Sequence, residues 1–385
     1  MSGLASVVLA AVAGAGAARQ TEDAFSCQVI ATCDPSFEDR WNLLRTGPFQ
    51  VIAAARVFRG ETVRLPILFR GVQADEGRGD VRYDLAILRP DGELHGAFAD
   101  QVGVAEQHFG AGATLLAEDW LALSFDPDDP PGEYVVSVRA RDRRADVRAE
   151  AETHLTLVEY APGAPFEDLD AVWAWAAGTF ETPEPERVLG ALEAFCAAGG
   201  IGAGLPSETI EGYLLERLER DAWLLEIWLG DWEHRDAAAR ETTLWVLAHA
   251  AFDDSALLQR LPAEDRERRA ALARERHDPL LDPLDRREDL GELWGRYLAS
   301  RRMDPLLRLV LALAPDGGVV ADASFHDDAS GIDVPLERVF AGATPTHLAR
   351  ILAWDPIARG YAETLAGMGQ LPEGVGAALA KLLEE

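Results

Sequence analysis

Four groupings of side chains in this sequence could do chemistry by their types and spacing. Cys27 and Cys33 enclose five residues, a loop short enough to be locked as a turn by a disulfide in an oxidising compartment. Two partly buried thiols are the alternative, and no second ligand pair follows at the spacing a zinc site needs. His277 stands beside Asp278 and Asp282, a histidine–carboxylate set suited to acid–base work, yet Pro279 and Pro283 mark the segment as a rigid connector. His326, Asp327 and Asp328 lie among Asp322, Ser324, Ser330 and Asp333, an oxygen-rich group that a hard cation would accept. No EF-hand order is present, so a solvated loop is the favoured reading. Trp228 and Trp232 stand four apart on one helical face and form a candidate ligand or carbohydrate groove, against the default of helix packing.

Other patterns are weaker still. The eight histidines, at 95, 108, 154, 234, 249, 277, 326 and 347, include no pair four apart on a helix, as a zinc site on one face would want. No serine occupies a nucleophile elbow. Gly14 and Gly16 lack the third glycine of a dinucleotide loop, and Gly199, Gly200, Gly202 and Gly204 follow a helix pattern, where they mark its end. Arg78, Gly79 and Asp80 spell an adhesion tripeptide that a hairpin loop explains. Cys196 falls within a helical apolar pattern and reads as a small core residue. The sequence therefore assigns no catalytic residue, metal ligand or cofactor site, and no cofactor is expected.

These residues sit in a chain of 385 with 48% hydrophobic and 26% charged residues, enough for two or three cored domains. Its 66 acidic residues outweigh 36 basic ones, and a net charge near −30 repels phosphate backbones, so nucleic acid is not an expected partner. The first 18 residues are uncharged. Leu4 to Ala13 is an apolar run of signal-peptide length, and Ala15, Gly16 and Ala17 supply small residues for cleavage. Residues 1–18 are thus expected to be a signal peptide and 19–44 an amino-terminal extension carrying the candidate disulfide. No later stretch is apolar for long enough to predict a transmembrane span.

From 45 to 160 the pattern is that of short strands. Val51–Phe58 and Val63–Phe69 flank Arg59, Gly60 and Glu61 and predict a hairpin; Val81–Leu88 alternates, with turn residues Pro90, Asp91 and Gly92 after it. Leu121–Phe125, Gly132–Val138 and Thr153–Val158 complete an antiparallel sandwich. Pro131, Gly132, Glu133 and Tyr134 leading into Val135, Val136, Ser137 and Val138 resemble the penultimate-strand entry of immunoglobulin-like, fibronectin-type and macroglobulin-type modules. That resemblance implies an immunoglobulin-like fold used for adhesion, spacing or docking, and it carries no catalytic residues.

Residues 161–165, Ala-Pro-Gly-Ala-Pro, form a linker. The period then becomes helical, and 166–385 is expected to be a helical bundle or irregular α-solenoid. Helices are predicted over 169–177, 186–197, 207–230, 237–252, 265–276, 287–300, 305–313, 346–352, 357–368 and 373–383. Eight of the ten tryptophans fall in this half. Leu290, Leu293, Trp294, Gly295, Tyr297, Ala299 and Ser300, followed by Pro305, Leu306, Arg308 and Val310, resemble a helix–loop–helix pattern of bacterial proteins of uncharacterised function, which implies a fold and no activity.

The expectation from sequence is a periplasmic or secreted, non-catalytic protein that engages a protein partner or acts as an envelope scaffold. A hydrolase whose residues meet only in the fold, and a Trp-lined binding protein, are the alternatives.

Overall fold

A computed structural model describes residues 24–43, 51–105, 108–110, 112–179, 183–201, 208–250, 255–282, 284, 287–312, 323–327, 332–336, 348–349, 351–353 and 355–384. The expected signal peptide, residues 1–18, lies outside them. Two compact units emerge, a β unit of residues 24–34 with 51–160 and a helical unit of residues 35–43 with 161–384. The stretch expected to be an extension is thus shared between them. Its strand joins the first unit, and its helix joins the second.

The β unit holds β1 (Ser26–Val29), β2 (Arg56–Phe58), β3 (Val63–Leu65), β4 (Ile67–Arg70), β5 (Val81–Leu88), β6 (Leu94–Val104), β7 (Leu115–Leu116), β8 (Leu121–Leu123), β9 (Gly132–Asp142) and β10 (Val147–Val158). One sheet runs β2-β10-β9-β5-β6, and the shorter ladders are β1-β4-β7 and β3-β8. Strict alternation places Val81, Tyr83, Leu85 and Ile87 of β5 and Tyr134, Val136, Val138 and Ala140 of β9 in one core. Val63, Leu65, Ile67 and Phe69 from the short ladders join them. Tyr134 donates its hydroxyl to the Pro130 carbonyl at 2.9 Å, tying the proline-rich approach to the start of β9.

The hairpin expected across Arg59–Glu61 does not form as a strand pair. Its turn is present, with Gly60 at φ +82°, Glu61 N–H bonded to the Phe58 carbonyl and Glu61 Oε2 accepting the Phe58 N–H at 3.0 Å. The arms then part, β2 pairing parallel with β10 and β3 antiparallel with β8. A three-residue β2 gains more from lying beside the end of a twelve-residue strand than from a bare two-stranded ribbon. The sheets are therefore mixed, where a purely antiparallel sandwich was expected. The long β6 was not anticipated either, because its Gly, Ala and Asp residues carry little strand propensity and pairing with β5 supplies the stability.

The helical unit contains α1 (Phe37–Leu43), α2 (Leu169–Gly178), α3 (Val188–Ala197), α4 (Glu208–Arg220), α5 (Ala222–Leu229), α6 (Ala237–His249), α7 (Ser255–Gln259), α8 (Ala263–Arg274), α9 (Arg287–Ser300), α10 (Met303–Leu311), a ladder β11 (Ala323–Asp327) with β12 (Ile332–Leu336), then α11 (Pro356–Met368) and α12 (Glu373–Glu384). The helix expected over 207–230 breaks at Asp221, whose φ of −105° and ψ of +53° leave the helical region. Arg217, at 2.8 Å, and Arg220, at 3.1 Å, hold its buried carboxylate at the break. Burial pushes that carboxyl up from its ordinary range, and Arg220 opposes the shift.

Glycines set the crossing of α4 and α9. A Cβ on Gly295 would run into the Thr209 carbonyl, one on Gly212 into the Glu292 carbonyl, and one on Gly291 would meet the Glu208 side chain at 2.9 Å. Bare backbone on both helices lets them approach this closely. Around the crossing, Leu293, Tyr297, Leu306, Val310, Tyr361 and Leu365 form the core that unites α9, α10 and α11.

Candidate functional site

The charged centre of the helical unit is built on Asp355, the residue before α11. Its Oδ1 accepts the N–H groups of Ile357 at 2.9 Å and Ala358 at 3.1 Å, satisfying two of the donors a helix start leaves open. Its Oδ2 accepts the Tyr297 hydroxyl at 3.1 Å and lies 3.2 Å from Arg301 Nε. Tyr361 donates its hydroxyl to the Arg301 carbonyl at 3.2 Å. Arg40 of α1 shares this environment; its Nε donates to Ser36 Oγ at 3.3 Å, and its side chain is fully buried. Burial lowers the Arg40 pKa, while Tyr361, Tyr297 and Asp355 act to raise it. Burial also drives the Tyr297 hydroxyl well above its ordinary range, so it stays a donor.

A second charged group closes the connector after α8. His277 Nδ1 lies 3.7 Å from Asp282 Oδ2, and Nε2 lies 3.1 Å from Asp289 Oδ1. Arg276 bonds Asp278 at 2.5 Å, Arg296 reaches Glu292 at 2.8 Å and Asp278 at 3.5 Å, and Arg308 donates to the Pro279 and Asp282 carbonyls. The sequence grouped His277, Asp278 and Asp282, and the structure brings them together with Asp289, Glu292 and three guanidiniums. Asp278 is engaged from both sides by arginine, an arrangement that holds a connector in place.

In the β unit the candidate is the outer side of β6, which ends its sheet. Leu94 is 59% exposed and Phe98 38%, so both apolar side chains meet solvent. Irregularities in the β5–β6 pairing flank Gly96–Phe98, and Asp100, at φ +53°, donates its N–H to Asp84 Oδ1. Beyond that point Asp119 N–H bonds the Val102 carbonyl, so the open edge is the part before residue 102.

The two cysteines of the expected disulfide lie along a run of paired chain. Ser26, Cys27, Gln28 and Val29 pair with Arg70, Phe69, Leu68 and Ile67, Ile30 N–H bonds the Pro66 carbonyl, and Thr32 exchanges backbone bonds with Arg64. Cys27 lies in β1 and Cys33 just past the Thr32–Arg64 bridge, six residues on; an extended run of that length spans about 20 Å, against the roughly 7 Å limit for bridged Cα atoms. Both are thiols packed on the β core. Burial, with Glu150 adding, pushes the Cys27 thiol up to about 11.

The two tryptophans of the expected groove sit in the interior of the helical unit. Trp228 and Trp232 are buried, their indole N–H groups donate to Thr243 Oγ1 at 2.8 Å and Asp265 Oδ2 at 2.9 Å, and the Arg235 guanidinium covers Trp228 at 3.5 Å. His326, Asp327, Ser324 and Asp333 fall on β11 and β12, where a loop was expected; Asp322, Asp328 and Ser330 lie outside the described residues. No group of three or more metal-capable side chains converges among the described residues. No described helix is long and apolar enough to cross a membrane.

Arg40, Arg301 and Asp355 were not anticipated as a group. Asp355 followed by Pro356 is a helix-start signature, whereas nothing in the sequence links Arg40 to residues 257 or more positions away.

No family model and no curated protein matches the chain. Among solved structures, the CARDB domain of a Pyrococcus furiosus protein in complex with di-metal ions aligns at 10% identity and a TM-score of 0.20, covering 35% of this chain and 88% of that one. The Pseudomonas fluorescens alkylpurine DNA glycosylase AlkC, bound to DNA containing an abasic site analog, aligns at 20% identity and a TM-score of 0.19 over 27% of each chain. A family 123 glycoside hydrolase from Clostridium perfringens aligns at 10% identity and a TM-score of 0.21, over 37% of this chain and 29% of that one.

Proposed function

We propose that this chain is a non-catalytic interaction protein whose β unit, an immunoglobulin-like module with one parallel strand pair, docks a protein partner on the open edge of β6. The observation that carries the reading is the exposure of Leu94 and Phe98 on a sheet edge before residue 102. Unpaired edge backbone offers hydrogen bonds to an added strand, and two apolar side chains offer contact area. The irregular pairing on either side of Gly96–Phe98 narrows the window and so disfavours indiscriminate edge pairing. The Tyr134–Pro130 hydrogen bond at the start of β9 supports the immunoglobulin-like assignment.

Export is part of the proposal and rests on the apolar run Leu4–Ala13. A photo-crosslinking residue placed in turn at each position from Leu94 to Ala99, in the chain expressed in its native host, tests the docking. A discrete crosslinked protein that is lost on Phe98→Asp is the expected result; no crosslink at any position from Leu94 to Ala99 overturns it. Intact mass of the native protein tests export, and a chain that retains Met1 counts against it.

A further inference from the structure

The β6 edge carries a charge pattern around its apolar centre. Leu88 pairs with Leu94 on one side and with Val135 on the other, which lays an apolar row across β6, β5 and β9 whose outer end, Leu94, is exposed. A strand added to β6 would extend that row. The register steps from Leu88–Leu94 to Ile87–Gly96, so His95 is the extra residue of a bulge that opens the docking window. Its ring is not part of the outer surface, for it stands edge-on to Tyr134 at 5.6 Å and places Nδ1 3.4 Å from the buried Asp129 carboxylate.

Acidic residues stand at both ends of the window. Asp91 and Glu93 precede Leu94, Asp84 and Asp100 lie at the far end beyond Phe98, and all four are exposed. Backbone bonds fix them in place: Asp91 Oδ1 accepts the Glu93 N–H at 2.9 Å, and Asp84 Oδ1 accepts the Asp100 N–H at 2.8 Å. The neighbouring cations are already engaged. Arg89 donates Nε to His95 Nδ1 at 3.4 Å and lies 3.6 Å from Asp129; Arg82 donates to the Asp100 carbonyl at 3.4 Å; Arg139, opposite Asp84 in the register, lies 3.4 Å from Glu150. With Asp129 and Glu150 included, carboxylates still outnumber these guanidiniums two to one, so both ends stay negative. Glu93 and Asp100 frame roughly 20 Å of extended chain.

We propose that the β6 edge selects an extended protein segment that is apolar at its centre and carries Lys or Arg on both sides. The inference rests on the reading of β6 as a docking edge and names the chemistry of its occupant. Edge backbone pairs with any strand, so the flanking carboxylates supply the discrimination: opposite charges set beside them gain, and like charges lose. A second copy of this chain is a poor occupant. Antiparallel pairing of two β6 edges would set Glu93 of one copy near Asp100 of the other, and parallel pairing would set each beside its own equal.

The test uses the full chain and two fluorescein-labelled peptides, Arg-Thr-Val-Thr-Val-Thr-Val-Arg and the same sequence with Glu at both ends. Fluorescence anisotropy at low salt is expected to show the Arg-ended peptide binding about tenfold tighter or more. In Glu93→Gln/Asp100→Asn, which keeps the shape of both side chains and removes their charge, that preference should fall below about threefold. Because the whole chain is acidic, Leu94→Asp separates docking from general attraction: the added charge would retain a peptide held by bulk electrostatics, whereas docking on the edge is lost. No saturable binding of the Arg-ended peptide, a preference unchanged in the double variant, binding that survives Leu94→Asp, or a dimer that Leu94→Asp dissociates overturns the proposal. The partner segment crosslinked from Ala97 in the native host, mapped by mass spectrometry, decides independently of these variants. Basic residues on both sides support the proposal; acidic or uncharged flanks, or a crosslink within the same chain, overturn it. A discrete partner with such flanks leaves β6 a docking edge and rejects only its selectivity, whereas selective peptide binding with no crosslink from Leu94 to Ala99 keeps the selectivity and rejects docking in the cell.

Discussion

Arg301 meets Asp355 at 3.2 Å from a backbone at φ +53°, a left-handed conformation that glycine usually supplies after a helix. Arg301 follows the last residue of α9, and its N–H bonds the Tyr297 carbonyl at 2.7 Å. Strain in the main chain is thus traded for a buried ion pair. Replacing Arg301 with alanine keeps the strain and loses the pair; glycine loses the pair and relieves the strain. We expect Arg301→Ala to destabilise the helical unit by about 3–5 kcal/mol, the usual effect of leaving a buried carboxylate without its partner. Arg301→Gly is expected to be milder by about 1 kcal/mol. Urea midpoints at unchanged slope measure both, and equal midpoints would remove the strain argument.

The α4–α9 crossing predicts a second contrast between glycines. Gly295→Ala places a methyl group against the Thr209 carbonyl, and neither backbone can retreat without moving a helix. An overpacking cost of about 1–3 kcal/mol or more is expected. Gly367→Ala in α11, with nothing within 4 Å of the added carbon, is expected to stabilise by about 0.4–1 kcal/mol. Thermal melts of the two variants should move in opposite directions.

His249 gives the fold a pH dependence of defined sign. Its ring stacks on Trp245 at 4.2 Å, and Nδ1 lies 2.9 Å from the Trp245 carbonyl. Burial lowers its pKa, with the Trp245 carbonyl opposing and Arg276 and Arg296 adding to the shift. The folded state therefore disfavours the imidazolium. Its contribution is present above the unfolded value of about 6.5 and is lost as pH falls below it. Stability should decline as pH falls below about 6.5, and His249→Phe should flatten that slope. Burial raises the Glu292 carboxyl, which contributes with the opposite sign.

How much of this was legible depends on whether a signal is local. The turn Pro90–Gly92, the alternation of Val81–Leu88 and the helix over 287–300 carry their own periodicity and punctuation, and the structure places them as expected. The parting of β2 from β3 was not legible, because the turn between them is satisfied by Glu61 whichever way the arms go. Trp228 and Trp232 do not share a helix, because α5 ends at Leu229 and Trp232 opens a separate short 3-10 helix, and spacing alone could not say that their indoles meet Thr243 and Asp265. Arg40 and Asp355 lie in segments with no common pattern. Only the fold introduces them.

The cysteine pair supplies the prediction that separates local spacing from geometry. Five intervening residues permit a bridge in a turn, but the continuous pairing of residues 26–32 with 64–70 keeps the chain extended, with Cys27 near one end of the run and Cys33 just past the other, both against the β core. Closing the bridge would require stripping β1 from β4. The folded protein, exposed to a mild oxidant, should therefore keep its full thiol mass. Its melting temperature should be the same with and without reductant, and alkylation of Cys27 should be slow until the β unit unfolds, because burial holds its thiol near 11 and leaves little thiolate at neutral pH. A loss of 2 Da from the folded chain under oxidant, mapped to a Cys27–Cys33 peptide, would show that β1 leaves its sheet and that the register described for the β unit does not persist in solution.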